Sequence, residues 1–160
     1  RKGLAHPFQT CVRGIQGSLI PVVFISIVVG YGTAVQATPV FGWLVEQVLS
    51  LDMNPYLLTF VAVNLLAGMT ANGTGGVTLF MENFGATILG NPAINVGALH
   101  RIAAISGAGF DSLPHNGAIA FQLSVFKLSY KDGYFQQFMM SVLVNLLAGL
   151  LAVLMAVVLF

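Results

Sequence analysis

Apolar residues fill this chain in long blocks that polar residues interrupt at only a few places. Charge-free stretches cover residues 14–45, 53–81, 83–100, 112–126 and 133–160. A helix needs about 20 residues to cross a hydrocarbon core, and the stretches at 14–45 and 133–160 exceed that length. The pattern predicts an all-α, polytopic transmembrane helical protein. After a juxtamembrane segment at 1–17, a first span is expected over 18–36, rich in Ile and Val and closed by Pro39. Residues 40–52 place Trp43, Glu46 and Asp52 among apolar residues, a composition suited to a short interfacial helix. A last span fills 134–160.

The two segments between these are broken. Over 55–90, an arm opened by Pro55 meets the run Thr70-Ala71-Asn72-Gly73-Thr74-Gly75-Gly76, and a second arm continues to about Leu89. Each arm alone is short for a span, and Asn91-Pro92 turns the chain directly afterwards. A re-entrant hairpin is therefore predicted, with the glycine cluster at its tip; non-helical backbone is tolerated at depth only where protein or water satisfies it. The second broken segment, 95–127, is a discontinuous helix interrupted from Ser106 to Pro114 and resuming at about His115. Charge placement agrees with this layout. If Arg1, Lys2, Arg13, Lys127 and Lys131 share the cytoplasmic side, a hairpin entering and leaving from outside puts the 127–133 loop on that side, whereas a single crossing by 55–90 does not. The last span then leaves the C-terminus outside.

Composition narrows the class further. The chain is 57% hydrophobic and 7% charged, where roughly 25% charged is usual for a soluble domain, and its mean hydropathy is +0.89. The bilayer is its expected solvent. Six scattered Lys and Arg and a net charge of +1 exclude the clustered basic face that nucleic-acid binding needs. Cys11 is the only cysteine, so no intrachain disulfide forms. No secretory leader is read, because the first apolar run starts only after Arg13. The length is small for a secondary transporter built from two repeats, which suggests half of a larger unit.

A helix broken inside a membrane exposes N–H groups at one new end and C=O groups at the other, so it offers oriented partial charge without a buried ion. Candidate substrate-binding residues are Asn72, Gly73, Thr74, Gly75 and Gly76 from one break, with Ser106, Gly107, Gly109, Ser112, Asn116 and Gly117 from the other. Both breaks contain an Asn-Gly pair flanked by hydroxyl side chains, chemistry that suits a polyhydroxylated carboxylate. The same residues also serve to satisfy broken backbone and to pack helices. Asp111 is the sharpest single candidate, since an acid in this setting is usually functional or paired. With His115 four residues on, it is expected to carry proton coupling; the plainer reading makes it a cap for the turn before Pro114. Arg101 and Glu82 either pair with each other or free Arg101 for a substrate carboxylate. His100, Asp111 and His115 lack the spacing of a zinc site, so no metal and no cofactor is expected. A short repeat, V-N-L-L-A-G at 63–68 and 144–149, reads as helix packing, with Asn64 or Asn145 hydrogen-bonding between helices.

The residues His100-Arg101, Ala103, Ser106, Gly109, Asp111 and Leu113-Pro114-His115-Asn116-Gly117-Ala118 resemble the signature of the gluconate permease family, within the ion transporter superfamily. Weaker similarity covers G-Y-G-T-A-V-Q-A-T-P-V-F at 30–41 and N-G-T-G-G at 72–76. The resemblance implies the C-terminal portion of an inner-membrane symporter that moves a small organic anion, gluconate or a related hydroxy acid, with protons. It implies one repeat of an inverted pair, so that the other half of the site lies on a missing N-terminal repeat or on a second chain, as in a homo-oligomer. Ala108 stands where the family is expected to carry glycine. Two other readings stay open from the residues: an intramembrane hydrolase with Ser106 as nucleophile and His115 as base, since Ser106-Gly107 resembles part of a rhomboid-type motif, and a non-catalytic membrane subunit. Position 104, an alanine where that motif has glycine, counts against the hydrolase.

Overall fold

The computed structural model describes residues 7–50 and 53–160. Among these every regular element is helical: α1 Pro7–Gln36, α2 Pro39–Leu49, α3 Pro55–Thr70, α4 Gly73–Leu89, α5 Val96–Gly107, a 3-10 turn Phe110–Ser112, α6 Gly117–Val125, α7 Tyr130–Phe138, a π turn Met139–Leu143 and α8 Val144–Leu159. The ends of the expected first segment and interfacial helix, at 1–6 and 51–52, lie outside the described residues. Residues 7–17 do not form a separate segment, because α1 runs through them without interruption.

Asparagine starts four of these helices. Asn54, Asn72, Asn95 and Asn116 each turn the chain in a non-helical conformation and accept an N–H of the first turn, at Tyr56, Gly75, Ala98 and Ala118. Each such cap is worth about 1 kcal/mol. Pro55 at the first position of α3 and Pro39 at that of α2 fit because the N–H they lack has no partner there.

The core is built on α3. Phe60, Val63 and Leu66 meet Phe80, Phe84 and Ile88 of α4, Leu99 and Ile102 of α5, and Val153 and Ala156 of α8. Phe80 and Phe84 stack with ring centroids 5.1 Å apart, and the Asn95 amide donates to the Tyr56 hydroxyl at 2.9 Å, tying the starts of α5 and α3 together. The helices α3 and α4 fold back on each other as the two arms of a hairpin. The break between them is shorter than the glycine cluster suggests: only Ala71, left-handed at φ 52°, and Asn72 are non-helical, and Gly73, Gly75 and Gly76 belong to the first turn of α4. Glycine is needed there for close approach. A Cβ on Gly76 would lie 2.5 Å from the Ala67 nitrogen and 2.7 Å from its Cα, so the arms touch through backbone.

The second break is also displaced. Ser106 and Gly107 complete α5, the interruption runs from Ala108 to Asn116, and α6 starts at Gly117. The final helix begins earlier than 134, at Tyr130, because Ser129 caps it. Among the described residues one helix, Tyr130–Leu159, is long and apolar enough to cross a membrane, with a mean hydropathy of 2.8 over its most apolar window. Leu147, Leu151, Leu154 and Val158 on it are exposed. A surface of that kind requires apolar surroundings.

Gly76 and Gly75 should respond oppositely to the same change. Gly76→Ala forces the hairpin arms apart and is expected to lower stability by about 1–3 kcal/mol. Gly75→Ala meets only the Asn72 side chain at ordinary distances of 3.4 and 3.5 Å and should be neutral, or stabilising by up to about 1 kcal/mol. Thermal unfolding of the full-length protein in detergent measures both.

Candidate functional site

The two breaks meet. A Cβ on Gly73, at the start of α4, would run into the Gly107 carbonyl at the end of α5; one on Gly107 would sit 3.2 Å from the Gly73 oxygen and 3.1 Å from Val77 Cγ2. The positive end of one helix thus touches the negative end of another, an arrangement that helix dipoles favour. No glycine among the described residues has a positive φ, so these glycines are present for proximity. Ala108 is at φ −87°, ordinary helical backbone, and alanine fits there without strain.

Asp111, on the 3-10 turn, closes the junction. Its carboxylate faces the Gly73 backbone amide and accepts the Asn116 side-chain amide at 2.7 Å. That amide also donates to the Asp111 carbonyl at 2.6 Å and to the Ala71 carbonyl at 2.9 Å. Asn116 therefore joins the end of α3, the 3-10 turn and, through its own oxygen, the start of α6. His115 turns away from Asp111. Its Nε2 lies 2.7 Å from the Gly68 carbonyl of α3, a group that only accepts, so in this contact Nε2 carries the proton. The ring also meets Tyr31 of α1 edge-on at 6.4 Å. The expected Asp111–His115 proton-sharing pair is not made, because each side chain answers a different helix terminus.

Beside this junction lies an open groove of about 410 Å³ lined by Gly73, Thr74, Val77, Ala104, Gly107, Ala108 and Asp111. Gly73, Thr74, Gly107 and Asp111 were expected from the sequence. Thr74 is exposed and, among the described residues, its hydroxyl bonds no other group, so it is free to meet a ligand. Val77 and Ala104 carry no chemical signature and become lining residues only through helix phase.

The remaining candidates support the backbone. Asn72 caps Gly75, and Gly76 lies against Ala67. Gly109 faces the Asn64 side chain so closely that a Cβ there would overlap it. Gly117 is buried at the start of α6, and the Ser112 carbonyl accepts the Tyr134 hydroxyl at 3.3 Å. Ser106 is 1% exposed and donates to Ile102 of its own helix at 2.7 Å; it makes no bond to His115, and the nucleophile–base pair of a hydrolase is not assembled. Arg101 and Glu82 form no ion pair among the described residues. The Arg101 guanidinium donates to the Gly97 carbonyl at 3.0 Å and lines a different, apolar groove between α5 and α8 with Ile105 and Met155. His100 borders a third groove, beside Met81 and Leu99.

No family model matches the chain, and no solved structure matches it. The chain is similar to a transporter. An uncharacterized transporter of Bacillus subtilis (strain 168), YxjC, is 28% identical over 125 residues, which are 76% of this chain and 26% of that protein. The chain thus spans about a quarter of the relative's length. The similarity supports a transporter in general, and the apolar final helix supports a membrane protein.

Asn116 and Ser106 separate support from mere presence. Asn116→Ala leaves the Ala71 carbonyl without its side-chain donor and Asp111 with the Gly73 amide alone, and is expected to cost about 1–3 kcal/mol. Ser106→Ala removes only a bond to its own helix and should stay within about 1 kcal/mol. Melting temperatures of the two variants compare them directly.

Proposed function

We propose that this chain forms half of the transport site of a multi-pass secondary transporter in the bacterial inner (plasma) membrane, a proton-coupled symporter of gluconate or a related small hydroxy-carboxylate. The observation that carries the reading is the junction of the two breaks, where a carboxylate, a free hydroxyl and a helix N-terminus share one open groove. In this reading α3 and α4 are a re-entrant hairpin, α5 and α6 a discontinuous helix, and the Lys127–Lys131 loop faces the cytoplasm. The rest of the site comes from another part of the transporter or from a second chain.

The geometry suggests how proton and anion become coupled. Helix N-termini favour anions, and at α4 the Asp111 carboxylate already holds that position. A substrate carboxylate competes with it and is repelled by it. A proton on Asp111 removes both obstacles, so anion and proton enter together, and each raises the other's affinity by the same factor. Thr74 supplies a hydrogen bond to a substrate oxygen, while Ala104, Val77 and Ala108 leave room for the carbon chain. The transporter similarity and the resemblance of the 100–118 segment to gluconate permeases support the substrate class.

Uptake of labelled gluconate into vesicles holding the full-length protein, under an imposed pH or sodium gradient and with 3-hydroxybutyrate and D-serine as competitors, tests the reading. Asp111→Asn is expected to reduce pH-driven accumulation to that of vesicles lacking the protein. Full accumulation in that variant, or uptake driven by sodium and not by protons, would falsify the coupling. Thr74→Ala should raise KM by roughly two- to tenfold, the value of one hydrogen bond, with the maximal rate retained.

A further inference from the structure

Two hydrogen bonds hold the chain between α5 and the 3-10 turn from outside its own segment. From α3, Asn64 Oδ1 accepts the Phe110 amide at 3.3 Å. From α8, Asn145 Nδ2 donates to the Ala108 carbonyl at 3.3 Å. These asparagines hold the same place in the two copies of V-N-L-L-A-G, and the glycine ending each copy lets a helix close in nearby. A Cβ on Gly68 would stand 3.0 Å from Phe110 Cβ, and one on Gly149 would lie 2.5 Å from the Phe60 ring and 3.6 Å from Ile105 Cγ2. One hexapeptide is used twice, on two helices that flank a single break.

The α8 copy has a feature that the α3 copy lacks. It follows the π turn Met139–Leu143, in which the Val144 amide reaches back to the Met139 carbonyl. A π turn contains one residue more than an α turn, and so shifts by one position the face that the following helix presents. Asn145 also donates to the Ser141 carbonyl within that turn at 2.6 Å. Its amide thus joins the irregular turn to the broken helix, and Ala108, whose carbonyl it holds, lines the groove.

We propose that Asn145 is a positioning residue for the groove: seated by the π turn, it fixes the Ala108 carbonyl and, with Asn64 opposite, sets the peptide that carries Asp111. The long final helix is thereby connected to the site, and a shift of α8 reaches Asp111 through Ala108. The proposal rests on the groove being the working site described above.

The test uses the full-length protein with Cys11→Ser, which removes the only cysteine of this chain, and with any cysteine outside it likewise replaced by serine. Ala108→Cys then reports on the break, and Thr78→Cys, on the exposed face of α4, serves as the control. Asn145→Leu, similar in size and without a donor, is expected to change the maleimide labelling rate of Ala108→Cys by about threefold or more and to leave that of Thr78→Cys unchanged. Without the reporter cysteines, it should raise KM for anion uptake by about the same factor while the maximal rate changes less. Asn145→Ser, whose hydroxyl bonds its own helix, should behave alike with less burden on folding. Unchanged labelling of Ala108→Cys in both variants, or an equal change at both cysteines, overturns the proposal. Altered labelling at Ala108→Cys alone, in a protein that takes up none of the anions, supports the positioning role and removes the transport reading.

Discussion

Everything at the candidate site depends on two helices touching where neither has a side chain. Gly73 and Gly107 bring the first turn of α4 against the last turn of α5 through backbone atoms. With any larger residue at Gly73, the two breaks would stand apart, Asp111 would lose the amide it faces, and the groove would become a gap between unrelated helix ends. Because the contact joins a helix start to a helix finish, the unsatisfied groups of both are of opposite sign. Close approach and electrostatics therefore favour the same arrangement.

Around that contact, the polar groups of the breaks are matched one to another. The carbonyls ending α3 receive His115 and Asn116, the amides starting α4 receive Asn72 and Asp111, and the chain leaving α5 receives Asn64 and Asn145. Among the described residues no buried side-chain nitrogen or oxygen lacks a partner. In lipid, where water does not supply missing partners, such matching is a condition for irregular backbone to exist at all.

Much of this was legible in the sequence. The two breaks, the Asn-Gly pairs that satisfy their backbone and the packing role of V-N-L-L-A-G follow from residue chemistry that acts locally. Errors came where long-range contact decides. The glycines at 73, 75 and 76 read as a loop, since glycine is a weak helix former, yet Asn72 caps them into a helix and α3 and α5 require their missing side chains. Spacing of four suggested that Asp111 and His115 face each other, but Pro114 lies between them and the chain is not helical there. Arg101 and Glu82 invite pairing on charge alone, yet the Arg101 guanidinium bonds the Gly97 carbonyl of its own helix instead. Val77 and Ala104 had no signal, and the π turn at Met139–Leu143 had none either.

The final helix carries a consequence of scale. Its 30 residues from Tyr130 to Leu159, at about 1.5 Å per residue, extend about 45 Å, against roughly 30 Å for the hydrocarbon of a bilayer. Upright or moderately tilted, it has more than a turn to spare. The two ends differ in character: α7 carries Lys131, Asp132 and Gln136, whereas Asn145 is the one polar side chain of α8. The π turn lies where the polar part of the helix passes into the apolar part, so in a helix that crosses a membrane a change in bilayer thickness, by altering its tilt, bears on this irregular turn.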